Sequence, residues 1–343
     1  MNMDIVNYEH RLCTCCMEEH DVKIVNVPRK EIFKDKEVNY IATYSYCELA
    51  DELYMDEEQL RANNLQLKDA YRKAEGLLTT NEIIKIRSKY KISQSDLCTI
   101  LGWGGKTIAR YESFQVQDKA HDTILRKIDQ DPEWFVALLK GAKSDLSGET
   151  YEKYFSIATA LYEDAQDAYL KSSINAKYAR FRDNNLCQGN TQLSLDKAID
   201  MIRYFSSIPE QVTTLYKVKL MKLMWYADTL SYKLRGYSIT GLAYQALPMG
   251  AVPVGHEAMI ALKGVPCEEV DIGEISAYHF TLENEVTFPH LTNDDKAIID
   301  TVVNKLGKMS RVEIVKFMHN EKAYTQTSPY EIIPYSYAEY LQI

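Results

Sequence analysis

The stretch Thr80–Gln130 constrains this chain most, because its short apolar stripes are broken by helix caps and by one glycine-rich turn. TNEIIKIRSKY reads as a first helix, with Thr80 as its cap and Ile83, Ile84, Ile86 and Tyr90 on one face. SQSDLCTILG reads as a second, capped by Ser93, with Leu97, Ile100 and Leu101 inward. Gly102-Trp103-Gly104-Gly105 is the turn. KTIARYES supplies a third helix, and DKAHDTILRKI a fourth that opens at Asp118. A run of short helices folds only by packing on its neighbours, so this stretch is a compact helical domain.

Two short helices across a tight turn present the second to a DNA groove. The third helix carries Lys106, Thr107 and Arg110 on its polar side, while Ile108, Ala109 and Tyr111 can pack. An arginine there suits a bidentate contact to guanine. Gln94 opens the second helix and is placed for a phosphate, with Lys119 and the Gln115/Gln117 loop as further backbone contacts. This stretch resembles the XRE/Cro class of helix-turn-helix domains through Arg87, Ser93-Gln94, Leu101-Gly102, Thr107-Ile108 and Tyr111-Glu112. The resemblance implies a structural ion pair between Arg87 and Glu112.

Residues 1–55 read as β-rich. Val38, Tyr40, Ala42, Tyr44 and Tyr46 alternate onto one face of a strand, Val22–Val27 reads as its neighbour, and Ile32–Phe33 before Lys34-Asp35-Lys36 as a third short strand and a turn. Residues 56–75 read as a helix stopped by Gly76, with acids at its start and bases at its end. Cys13-x-x-Cys16 is half of a zinc knuckle, and Cys47 stands where a second pair would begin, but its partner position holds Ala50. Cys13, Cys16 and Cys47 are therefore candidate ligands, which His20, Asp51 or water could complete. The competing reading is a fold held by tyrosine packing without metal, with less than one zinc per chain. Cys15 reads as a bystander. A CxxC pair, a strand-rich insert, a linking helix and an XRE-type domain resemble the MqsA-like antitoxins over about residues 1–130.

Asp131-Pro132 punctuates the chain. Beyond it a helix is expected through Glu133–Leu139, a long one through Tyr151–Leu170, and a polar, irregular connector over 171–190. From 191 onward helices are expected over Ser194–Ser207, Leu215–Arg235, about Gly255–Leu262, Thr292–Leu306 and Ser310–Asn320. Val270–Phe288 reads as less regular, with room for short strands. Leu220, Leu223, Met224, Trp225 and Ala227 belong to a core, Pro248, Gly250 and Pro253 to a turn between helices, and His319 with Glu321 to a cap or surface pair. This region resembles the SocA-like, or Panacea, antitoxin domain over about 192–335. The residues that carry this resemblance are KLMKLMWYAD at 219–228, Tyr244–Gly250 with Val252-Pro253, and Phe317–Glu321 with Ala323-Tyr324. Gly250-Ala251 departs from the Gly-Pro common in that family. The resemblance implies a toxin-neutralising module; its residues leave the toxin-binding site unknown, with Val270–Phe288 and the tyrosine-rich tail Tyr324–Tyr340 as exposed candidates.

The fold class expected is thus mainly α. It comprises a small β-rich, zinc-finger-like domain with its linking helix (1–76), a helix-turn-helix (77–130), a helical connector (131–190) and a helix-dominated Panacea-like domain (191–343). The net charge of −9 confines any DNA contact to a locally basic module. Seven scattered or clustered cysteines do not form a disulfide framework, and no apolar run reaches membrane length. No metalloprotease, nucleophile-elbow or phosphate-loop pattern occurs, and the histidines, among them His256, His279 and His319, are dispersed. The function expected is a cytoplasmic, non-enzymatic antitoxin that binds a cognate toxin and, as a homodimer, its own operator DNA. The alternatives are a proteolytic adaptor for the toxin and a stand-alone phage or prophage regulator.

Overall fold

The computed structural model describes residues 3–181, 185–272, 275–282 and 287–343. It is about half helical and falls into two compact units, Met1–Tyr162 and Glu163–Ile343.

The first unit opens with an antiparallel meander, β1 (Asp4–Leu12), β2 (Glu19–Phe33), β3 (Lys36–Cys47) and β4 (Glu52–Tyr54), in that spatial order. Lys34 and Asp35 both take positive φ (49° and 64°), the backbone of a two-residue hairpin turn. Ile32–Phe33 is therefore not a third short strand but the end of β2, paired with Glu37 and Lys36. Val25, Val27, Ala42 and Tyr44 bury one face of the sheet, as the alternation over Val38–Tyr46 expects. The helix α1 (Glu57–Ala74) lies along β3, closed at its start by an Asp56–Gln59 capping box. Because β4 covers only the last residues of β3, Thr43 has a backbone edge to spare. The Asn63 side chain takes it, accepting from Thr43 N and donating to Thr43 O, both at 2.7 Å.

Next come α2 (Thr80–Lys89), α3 (Gln94–Ile100), α4 (Thr107–Tyr111), α5 (Lys119–Gln130), α6 (Pro132–Gly141) and α7 (Gly148–Tyr178). Thr79, not Thr80, caps α2 through a box with Glu82; Thr80 is buried instead. Ile83, Leu97, Ile108, Leu125 and Phe135 share one core with Tyr154 and Ala158 from the start of α7. The buried Arg72 of α1 reaches into it. Its guanidinium donates to Gln117 Oε1 at 3.0 Å, Asp69 at 2.7 Å, Thr80, and the carbonyls of Tyr111 and Gln115 at 2.8 Å. Gln117 is thereby buried and cannot reach a nucleic-acid backbone as expected of its loop.

In the second unit, α7 continues to Tyr178 through much of the stretch expected to be irregular. Residues 182–184 of that connector lie outside the described residues. The elements that follow are α8 (Leu195–Ser206), α9 (Lys217–Arg235), β5 (Tyr244–Leu247), β6 (Gly250–Pro253), α10 (His256–Ile260), β7 (Cys267–Ile272), β8 (Ile275–Phe280), α11 (Asn293–Leu306), α12 (Arg311–His319) and α13 (Lys322–Thr325). Ser194, Thr292 and Ser310 cap α8, α11 and α12. α9 is the hub, with α8, α11, α12 and β6 packed around it. Pro248, Gly250 and Pro253 do not turn the chain between helices but shape the β5–β6 hairpin. Gly250 has φ +105°, and a side chain there would strike Lys222 and Met318. No described helix is long and apolar enough to cross a membrane.

Candidate metal centre and nucleic-acid interface

Cys13 and Cys16 sit on the tight connection between β1 and β2, where Met17 takes a left-handed φ of 61° and its N–H bonds Cys13 O at 2.8 Å. His20 lies at the start of β2, and Cys47 is the last residue of β3. Antiparallel pairing brings these ends together. The ligand atoms of Cys13, Cys16, His20 and Cys47 all lie within 4.8 Å of one another, and His20 Nε2 stands 3.7 Å from Cys47 Sγ. Cys13 and Cys47 are fully buried. Three thiols and one imidazole at this spacing are a donor set that can hold a tetrahedral metal ion.

The local electrostatics agree. Burial opposes ionisation of Cys13, yet the Tyr54 phenol and the backbone N–H groups of Cys16 and Cys15 overcome it and hold this thiol at about 5. Cys13 and then Cys47 push the His20 imidazole upward. Of the expected completing groups, His20 is the one that the fold brings to the three thiols. Ala50 is exposed on the β3–β4 turn, and Asp51 instead accepts from the Tyr46 hydroxyl. Cys15 stands aside, donating to Glu52 at 3.3 Å, which drives its thiol up to about 11.

In the helical domain Arg87 grips Glu112 with two bonds, Nε at 2.7 Å and Nη2 at 3.0 Å, the ion pair the resemblance implied. Gln94 donates to the same carboxylate at 2.6 Å, so its amide lies half-buried against the end of α4. Glu112 thus ties α2, α3 and α4 together. On the outer side Lys106 and Arg110 are exposed, Thr107 is half-exposed and Lys119 is exposed at the start of α5. Ile108 and Tyr111 are buried behind them, Ile108 N donating to Cys98 Sγ at 3.4 Å. The packing residues of α4 therefore point in and its cations out.

In the second unit the apolar stripe of α9 is buried as expected, but so are Lys219, Lys222 and Asp228. Asp228 accepts from Ile239 N and Thr240 N, each at 2.8 Å, and from the Tyr244 hydroxyl at 2.7 Å; burial still lifts it to about 6. Lys219 donates to the carbonyls of Thr213 and Gly307, and Lys222 to that of Ala251 at 3.1 Å; burial lowers them to about 8 and about 7. Residues 220–324 match the family model described as Antitoxin SocA-like, Panacea domain. No curated protein and no solved structure matches the chain. Within the matched segment the polar positions of α9 are structural: Asp228 fastens the loop before β5 to α9. Glu321 is not a surface partner of His319 but is buried, accepting from Tyr226 at 3.2 Å, while His319 stacks on Tyr324. Sequence reading missed these polar anchors, because a lysine or aspartate on an apolar helix carries no mark of the carbonyl or hydroxyl it will meet.

The two expected contact surfaces differ. Much of Val270–Phe288 is the β7–β8 hairpin, with 273–274 and 283–286 outside the described residues. In the tail, Tyr335 is buried with its hydroxyl on Leu242 O at 2.8 Å, and Tyr324 donates to Leu247 O at 2.9 Å, whereas Tyr330 and Tyr340 are exposed. The tail thus spends part of its tyrosines on the fold.

Proposed function

We propose that this chain is the antitoxin of a toxin–antitoxin pair, a non-enzymatic cytoplasmic protein whose Panacea segment binds a cognate toxin and blocks it. The observation that carries this reading is the match of residues 220–324 to the SocA-like antitoxin domain. We place the working parts at 1–76, 77–130, 131–190 and 191–343, the last being the toxin-binding part.

The helix-turn-helix is the DNA-binding part, reading operator bases with Arg110, Lys106 and Thr107. Lys119 and the second N–H of the Gln94 amide, whose first is spent on Glu112, are the phosphate contacts of this reading, and a homodimer repeats the contact one helical turn away. The support is the outward display of cations on α4, held by the Arg87–Glu112–Gln94 junction. Cys13, Cys16, His20 and Cys47 hold one zinc ion. With all four positions taken by protein, the metal supplies a structural cross-link.

The test is co-expression of the chain, whole and as residues 163–343, with the small reading frame beside its gene. The expected outcome is restored growth and a co-purifying complex with both forms. A harmless neighbour, or toxicity that neither form relieves, overturns the antitoxin reading.

A further inference from the structure

A cleft of about 480 Å³ opens in the second unit between the end of α7 and the start of α10, lined by Lys177, Arg180, Gln245, Gly255, His256 and Glu257. Gly255 takes φ +79°, where a side chain would be strained, and a Cβ there would meet Ile174 and the Lys177 stem at van der Waals distance, so this position keeps the cleft free of a side chain. Among the described residues the charge around the cleft is unbalanced. Among the described residues Lys177 and Arg180 have no carboxylate within ion-pair distance, and neither has Lys217, at the start of the neighbouring α9. Arg180 lies over the Phe181 ring. His256, half-buried between them, is held below its ordinary value first by burial and then by Lys217, with Lys222 adding to the same effect. Glu257 is the one acid on the lining. A cationic excess facing a cavity in a chain of net charge −9 is the arrangement that anions fill.

We infer that this cleft binds a phosphate-bearing small molecule of nucleotide size. Lys177 and Arg180 meet the phosphates. The volume lies in the range of small-ligand sites. Gln245 spends its amide N–H on Tyr330 O at 3.1 Å, which leaves its carbonyl oxygen to accept from a sugar hydroxyl or a base amine. The site is built from residues of the second unit alone and does not rest on the antitoxin reading.

The experiment is calorimetric titration of the full chain with ADP and with inorganic pyrophosphate at physiological salt. It is repeated with the Lys177→Gln/Arg180→Gln double variant and with Arg29→Gln/Lys30→Gln, which removes two charges from the exposed side of β2. Both substituted pairs are solvent-exposed, and unchanged circular-dichroism spectra establish that the variants fold. The expected result is saturable binding of ADP, tighter than pyrophosphate, weakened at least about tenfold in the cleft variant and unchanged in the β2 variant. The inference is overturned by absence of saturable binding, by equal affinity in the cleft variant, or by pyrophosphate binding as tightly as ADP.

Discussion

Lys222 carries the sharpest consequence of any single residue. Its ammonium is fully buried, with one carbonyl as its hydrogen-bond partner, and burial lowers it to about 7. Between pH 7 and the ordinary lysine range near about 10, the unfolded chain holds a proton that the folded chain has released. Folding stability therefore rises with pH across that window, and at pH 7 and below the folded state bears the cost of a buried cation. Lys219, lowered to about 8, adds to the rise above pH 8. Lys222→Met keeps the length of the side chain and removes the charge. The variant should melt higher than the wild type at pH 7, and the difference should shrink as pH approaches 9.5, read by thermal denaturation across the series. Parallel pH profiles for the two proteins would sink the argument.

Among the elements, α4 is short, only Thr107–Tyr111, and could not stand alone. It is held by Ile108 and Tyr111 in the core and by Glu112 beneath Arg87 and Gln94. That leaves Arg110 free on the outside. Arg110→Ala should cost about 1–3 kcal/mol at the operator and relax base preference at one position. Lys119→Ala should instead weaken all sequences alike and flatten the salt dependence, both read by fluorescence anisotropy on operator and scrambled duplexes. Wild-type operator affinity in Arg110→Ala would mean that α4 is not the reader. These elements were legible in the sequence because each announces itself locally: Ser93 and Asp118 as caps, the glycine turn, the alternation of Val38–Tyr46. What stayed hidden depends on distant partners. Ile32–Phe33 looked like a separate strand because nothing local says that β2 runs unbroken to the turn at Lys34-Asp35. Pro248 and Pro253 looked like helix punctuation, because a hairpin of a few residues per strand leaves no periodicity to count. His20 was one of three candidates for the fourth ligand, and only the pairing of β1, β2 and β3 shows that it lies with the three thiols. Arg72 and Gln117, the tie between the linking helix and the helix-turn-helix core, carried no signal beyond their polarity.

At the scale of the whole molecule the sheet of the first unit is held by other means than the helical parts of either unit, each of which has a large apolar core. The second has one large apolar core around α9. The sheet of the first has only the small cluster of Val25, Val27, Ala42 and Tyr44 and the cysteine cluster beside Val22. A core that small is short of burial energy, the situation in which a structural metal contributes to folding. Metal loss should therefore loosen the sheet. Its effect should reach the helix-turn-helix, because α1 lies on β3 and Arg72 of α1 donates into the loop after α4. The core of the second unit draws on residues from Ile174 onward and includes none of the sheet's. Cys47→Ser should accordingly purify with little metal by atomic spectroscopy. It should lose part of its strand signal in circular dichroism and bind operator more weakly, yet restore growth against the toxin as well as the wild type does. If neutralisation fell along with metal content, the cysteine–histidine cluster would be part of the toxin-binding machinery, and assigning that machinery to the second unit would be wrong. If metal content stayed at one per chain, Cys47 would not be a ligand, and the sheet would have to be held by its tyrosines.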